Sequence, residues 1–501
     1  MSKEAAQYQP AAPAREYQPA ALARESKRRK QTPLLAQRAG IVLLALFLPL
    51  LVHADEPDEV KNIGTRPGVD WPRFLGPTGD GKTSERGLAN WKSERGLANW
   101  NAATGPKVRW ILPLGEGYSA PIIIAGRCII FDRVRENVRC RCLNSETAVE
   151  LWSFTYSSTY QDKYNYDGGP RASPVSDGRR VYLHGPEGML HCLALADGKL
   201  LWNVDTFANF GVVQNFFGVG STPLLNGNKV IVHIGGSPPG SENKPFDQVT
   251  SNDSCIVAFD KATGKVLYQS GKDLASYASP QLATLGGKKV GLIFARDGLL
   301  GFDPDKGSEL FRHSFRARML ESVNVSNAIV DQDRILLSES YAVGNTLLHY
   351  ANSSLETLWT AMPRRRDMGI AAHMNTPILI DKHVFGCTGR QPNEAELRCI
   401  EWETGKVTWR EQPKLGDYVA GRGTLTYADG HALYLAEEGV LFLIKTNPQR
   451  YELVATWDGR QSPKDGPPLA MLPEPSWAAP VLSHGLIYLR GHGRLVCLEA
   501  Y

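Results

Sequence analysis

The chain has 501 residues, 42% hydrophobic and 22% charged, with 48 Gly and 32 Pro, which is a globular composition enriched in turn formers. The formal net charge is +4, but residues 1–54 carry eight Lys/Arg against three Asp/Glu, so the remainder is close to neutral. A near-neutral body excludes a broad electrostatic footprint for nucleic acid, and none is expected as a partner.

Residues 1–54 read as a targeting segment. A polar, Ala/Pro-rich stretch with a tandem nine-residue repeat (QYQPAAPAR, EYQPAALAR) leads to the basic cluster SKRRK at 26–30. An apolar run from Ile41 to Val52 follows, shorter than the ~20 residues of a membrane span and suited to a signal-peptide core. Val52 and Ala54 place small residues before a cleavage point at Asp55. The expectation is export, to the periplasm or beyond, with membrane association only if residues 41–52 stay attached. No Cys follows the run closely, so no lipid-modified N-terminus is expected.

Residues 55–105 read as an N-terminal extension. It contains the run WPRFLGP (71–77) and a tandem duplication, SERGLANWKSERGLANW (84–100), which looks like an insertion the folded body tolerates.

From residue 106 onward a repeat dominates, and repeats decide architecture before anything else does. In LHCLALADGKLLW (190–202) and LRCIEWETGKVTW (397–409) a Cys precedes a Trp by ten residues across a turn. The same interval joins Cys142 to Trp152, Ala258 to Tyr268, Gly301 to Phe311 and His349 to Trp359, so the Cys position reads as a small buried slot. Each unit opens with a Ser/Thr/Ala-Pro step, as in SAP (119–121), ASP (172–174), STP (221–223), ASP (278–280), NTP (375–377) and AAP (478–480). Short apolar strands follow, such as RVYLHG and KVIVHIG. Each unit therefore reads as four short strands.

The closing aromatics fall at 110, 152, 202, 268, 311, 359, 409 and 457. The eighth unit stops after its third strand, and the missing fourth is PKVRWILPLG (106–115) with Trp110. A last blade that borrows its outer strand from the N-terminal side closes a ring and removes exposed sheet edges. The predicted fold is all-β: an eight-bladed β-propeller of four-stranded antiparallel blades over 106–501, as one domain and a monomer. The Trp is expected to pack between blades. Equivalent Cys in different blades lie too far apart to bridge, while Cys128 with Cys140 or Cys142, and Cys387 with Cys399, stay open as pairs.

A propeller's site sits where the loops converge on the axial channel. The residue three before each repeat Pro gives one position per blade: Tyr118, Arg171, Gly220, Tyr277, Asn324, Met374, Arg422 and Trp477. Guanidinium forks and aromatic faces on one ring suit an anionic, planar or carbohydrate-like ligand. The other reading is that they plug the channel. Two long loops, TYSSTYQDKYNYDGGPR (155–171) and DTFANFGVVQNFFGVGS (205–221, with Asn215), are expected to share that face and to offer a protein or carbohydrate partner an aromatic surface. The insertion at 237–252 joins middle strands and is expected on the opposite face. PRRRD (363–367) reads as a solvated turn and His373 as structural. No CxxC, CxxCH, HExxH, GxSxG or P-loop pattern occurs.

The repeat [Cys/Ala/Gly]-apolar-x-x-x-[Thr/Asp]-Gly-Lys-x-x-Trp resembles the tryptophan-docking repeat of pyrroloquinoline quinone (PQQ)-like propellers, and WPRFLGP resembles a leader of secreted bacterial members. The resemblance implies one of two functions. One is a non-catalytic binding or scaffold protein of the cell envelope, as in outer-membrane protein assembly. The other is a quinoprotein dehydrogenase holding PQQ and calcium in the channel, with Tyr118, Arg171, Asn215, Tyr277, Asn324, Arg422 and Trp477 around the cofactor. The chain lacks the adjacent Cys pair and attached-haem motif of the dehydrogenases, so the first is the leading expectation, with no catalytic residue or metal ligand assigned.

Overall fold

The computed structural model describes residues 56–88, 106–213, 216–317, 324–341, 343–362, 365–463 and 468–501. The targeting segment and its apolar run at 41–52 lie outside the described residues, as does most of the duplicated stretch. Among the described residues no helix is long and apolar enough to cross a membrane.

Among them are eight four-stranded antiparallel sheets arranged as a β-propeller ring, seven of them running in sequence order from the channel outward. Blade 1 comprises Ile122–Ile124, Arg127–Val134, Asn137–Asn144 and Glu150–Ser157. Blade 8 takes Val481–Ser483, Leu486–Gly491 and Arg494–Glu499 from the C-terminus and closes with Val108–Pro113, which pairs with Arg494–Glu499. The second strands are buried on both faces, as Arg180–His184 and Leu486–Gly491 are throughout. That explains their continuous apolar character.

The docking aromatic explains the repeat. Trp152 pairs with Cys142, Trp202 with Cys192, Trp409 with Cys399 and Trp110 with Cys497, so the small slot faces the indole. The indole N–H then reaches into the next blade. Trp152 donates to Leu195 O at 2.9 Å, Trp202 to Lys261 O at 3.1 Å and Trp409 to Asn447 O at 2.8 Å. Trp110 donates to Ser145 O at 3.3 Å, which carries the same link across the ring closure. The turn glycine is the socket. A Cβ on Gly264 would stand 2.7 Å from the Trp202 ring, and its φ is +71°, so only glycine fits there. In seven of the eight blades the outer strand pair also carries a β-bulge next to the aromatic pair, as between Cys192 and Leu193, which adds local twist; in blade 7 it falls between Leu443 and Ile444.

The Ser/Thr-Pro step has its own cause. Ala120 N donates to Ser173 Oγ, Ser173 N to Thr222 Oγ1, Thr222 N to Ser279 Oγ, Ser279 N to Asn327 Oδ1 and Asn327 N to Thr376 Oγ1, all between 2.9 and 3.1 Å. From blade 2 to blade 6 a hydroxyl or amide thus accepts from the blade before it, and in blade 7 the Thr424 hydroxyl donates to Ala478 O of blade 8 instead. The Pro that follows needs no partner for an N–H on this inner edge strand.

Two expectations are corrected and one open question is answered. In blade 5, Leu347 and not His349 faces Trp359, because the hairpin turns tightly at Asn352–Ser353 and pairs His349 with Glu356. All eight cysteines are free, buried thiols; Cys128 faces Leu143 and Cys387 faces Leu397 across their hairpins. The insertion at 237–252 shares the face of the long loops. Ser237 N bonds Phe210 O and Gly211 O, and Asn252 Nδ2 bonds Phe210 O at 2.8 Å. In an antiparallel meander the second-to-third strand turn and the blade-to-blade connection fall at the same strand ends, so both emerge on one face.

The extension is part of the disc. Trp71 exchanges backbone hydrogen bonds with Ile123 of blade 1, and Ser176 N of blade 2 donates to Pro72 O. Thr83 N and Gly81 O bond Tyr427 of blade 7. Glu85 accepts from His484 N at 2.8 Å in blade 8 and from the Tyr501 hydroxyl. Trp71 is 2% exposed and Leu88 is fully buried. Residues 69–88 therefore span the channel from blade 1 to blade 7.

Candidate functional site at the channel mouth

On the face of the long loops the channel opens into a cavity of about 510 Å³ whose walls come from all eight blades. Phe74 and Leu75 line its base, and Phe74 also lines a second chamber, of about 620 Å³, bounded by the opposite ends of the inner strands. The extension thus divides the channel, and the mouth cavity is blind.

Of the positions read from the repeat, Tyr118, Arg171, Gly220, Tyr277, Met374, Arg422 and Trp477 line this cavity. Asn324 does not. It is 2% exposed, donates to Ala295 O at 2.6 Å and accepts from Tyr277 N and Ala278 N, so it clips blade 4 to blade 5 while Val325 faces the cavity. Asn215 lies outside the described residues.

One wall is aromatic. Tyr118 and Trp477 meet at 4.7 Å between ring centroids. Phe217 packs against Tyr277 at 5.9 Å and Tyr166 at 6.1 Å. Tyr166, 72% exposed, stands at the rim. Asp162 holds the Tyr loop by accepting from the backbone N–H groups of Tyr164, Tyr166 and Asp167. The Arg171 guanidinium sits 5.7 Å from both Tyr118 and Phe217 and donates to Asp162. Burial, then the charge of Asp167, pushes the Tyr118 hydroxyl up to about 12, so it stays protonated.

The facing wall is cationic. Arg422 grips Glu437 through Nε and Nη2, and the Trp477 indole donates to the same carboxylate at 2.9 Å. Arg422 Nη1 also reaches His373 Nδ1 at 3.2 Å. A guanidinium only donates, so Nδ1 accepts; Nε2 carries the hydrogen and donates to the Tyr341 hydroxyl at 3.2 Å. Burial first, then Arg422 and Arg390, drives the imidazole down to about 3, which keeps it neutral. Arg390 lies over the Tyr341 ring at 4.7 Å and has no ion-pair partner among the described residues. Behind it Glu339, 3% exposed, has one carboxylate oxygen without a hydrogen-bond partner, and burial raises it to about 7.

Among the described residues no Asp or Glu lines the cavity. Among the described residues no group of three or more His, Cys, Asp and Glu could hold a metal ion. Glu437, a carboxylate behind the wall, is occupied by Arg422 and Trp477. The thiols are single and buried within blades. This donor set does not fit a calcium-bound quinone.

A family profile described as outer membrane protein assembly factor BamB matches residues 137–411, more than half of the chain. The chain belongs to this PQQ-like β-propeller family. No curated protein matches it. Among solved structures, a europium-containing methanol dehydrogenase is 9% identical, with 86% of this chain and 91% of that chain covered and a TM-score of 0.58. A quinohemoprotein alcohol dehydrogenase from Comamonas testosteroni is 10% identical, with 86% and 80% covered and a TM-score of 0.52. BamB from Moraxella catarrhalis is 12% identical, with 78% and 98% covered and a TM-score of 0.49. At these identities the two dehydrogenases share the propeller fold with this chain and nothing finer.

Tyr341, Arg390 and Glu437, which build the cationic wall, lie on connections between second and third strands. The repeat reading placed such connections on the other face and so passed over them. Phe74 and Leu75 lie outside the repeat; the apolar pair inside WPRFLGP was their only signal.

Proposed function

We propose that this propeller is a non-enzymatic binding protein of the cell envelope that holds a small anionic ligand in the blind cavity at its channel mouth. The observation that carries the reading is Arg390. A guanidinium over an aromatic ring, with no ion-pair partner among the described residues and no carboxylate among the described residues that line its cavity, supplies a charge for a ligand anion. The aromatic wall supplies a stacking face, while Arg422 and Arg171 are already paired and hold the walls in place. Export follows from the apolar run at 41–52 and remains part of the proposal.

The test is calorimetric titration of the full chain with D-galacturonate, and separately with PQQ in the presence and absence of calcium. The reading expects galacturonate to bind and Arg390→Gln to abolish that binding. Stoichiometric PQQ binding with dye-linked alcohol oxidation would replace it with the quinoprotein reading.

A further inference from the structure

The cavity does not end at its own rim. Tyr341, Arg390 and Gln391 also line a groove of about 940 Å³ that runs outward over blade 6 on the same face. A monosaccharide-sized anion would fill the cavity and leave the groove empty. The groove wall is polar, with Asn393, Gln412, Thr388 and Ser340 alongside Arg366 and Arg398. Arg398 is paired with Glu396, whereas Arg366, like Arg390, has no ion-pair partner among the described residues. Of the five arginines that line cavity and groove, Arg171, Arg422 and Arg398 are paired with Asp162, Glu437 and Glu396, which leaves Arg390 and Arg366 as the cations without an ion-pair partner among the described residues.

The groove presents no free strand edge. Glu396 and Arg398 lie on a strand already paired on both sides, so an extended peptide has no ladder to join there. Flat rings at one end and side-chain amides, hydroxyls and guanidinium groups at the other suit a chain of pyranose rings. Such rings turn an apolar C–H face to an aromatic ring and hydroxyls to polar neighbours.

Resting on the binding reading above, we propose that cavity and groove form one continuous site for an anionic oligosaccharide. Its terminal carboxylated or sulfated sugar enters the cavity beside Arg390, and the following sugars lie along the groove past Asn393 and Arg366.

The experiment is calorimetry of the full chain with galacturonic acid and its oligomers of two to six units. Matched κ-carrageenan oligomers serve as the sulfated arm, maltohexaose as the uncharged control and hexaglutamate as the acidic-peptide control. Affinity is expected to rise at least tenfold from monomer to trimer and then level off. Preference for the uronate or the sulfated series supports the site and names the anion. Arg366→Gln and Asn393→Ala are expected to lower hexamer affinity at least fivefold and to flatten the length dependence. If the monomer binds but length adds nothing, the groove is not part of the site and this inference fails while the binding reading stands. If no anionic sugar of any length binds, or Arg390→Gln changes nothing, the binding reading itself fails. Equal affinity for hexaglutamate or maltohexaose overturns the sugar assignment.

Discussion

The rim and the mouth of this disc use the same eight-fold frame in opposite ways. At the rim the blades repeat one solution: an aromatic ring, in six of the eight a small residue opposite it and, in four, a glycine socket in the next blade. At the mouth the equivalent position is Tyr, Arg, Gly, Tyr, Asn, Met, Arg and Trp in turn. Repetition marks the residues that close the ring, and divergence marks those released from that task. Asn324 shows the limit of the rule, since it diverges yet serves as a clip.

If the rim is purely structural, breaking it should unfold the disc without selecting for ligand. Trp202→Ala leaves an empty interblade socket and orphans the Lys261 contact, at a cost of about 3–5 kcal/mol. Chemical denaturation monitored by tryptophan fluorescence measures it. Trp71→Ala is expected to cost a similar or slightly smaller amount, because the 2% exposed indole anchors the segment that divides the channel.

The inner ring lies between the two regimes. Thr222→Val removes the acceptor for Ser173 N and leaves a buried donor unmet, about 1–3 kcal/mol by the same assay. Glu339 sharpens the comparison through pH. Its carboxyl is held near 7 against an ordinary 4.5, so between those values the native state binds more protons than the unfolded chain. Stability from this group is therefore lost as pH rises through that window. Glu339→Gln is expected to be more stable than the parent at pH 8, by roughly 2–3 kcal/mol, and equal to it at pH 4. Thermal melts at the two values decide this.

The smallest effect on stability is expected at the mouth itself. Arg390→Gln breaks no ion pair and should leave stability within about 0.5 kcal/mol of the parent.

The ring was legible because its causes recur. Trp, small residue and turn glycine leave a fixed spacing, and the final unit's missing strand announces closure. The mouth was legible only where it borrows the repeat's register, as at Arg171, Arg422 and Trp477. Arg390 and Tyr341 sit in turns of unequal length that share no register, and the meander places those turns on the same face as the long loops. Phe74 and Leu75 reach the channel through backbone bonds to blades 1, 2 and 7, which no local pattern records.

The central claim is that the mouth holds an anion on Arg390 without catalysing its turnover. The most direct measurement is calorimetry of the full chain and of Arg390→Gln with D-galacturonate, alongside their melting temperatures. The account predicts binding to the parent, none to the variant, and melting temperatures that agree within about 2 °C. Equal binding by both proteins, or no binding of galacturonate or of the sulfated oligomers by a folded parent, would contradict it.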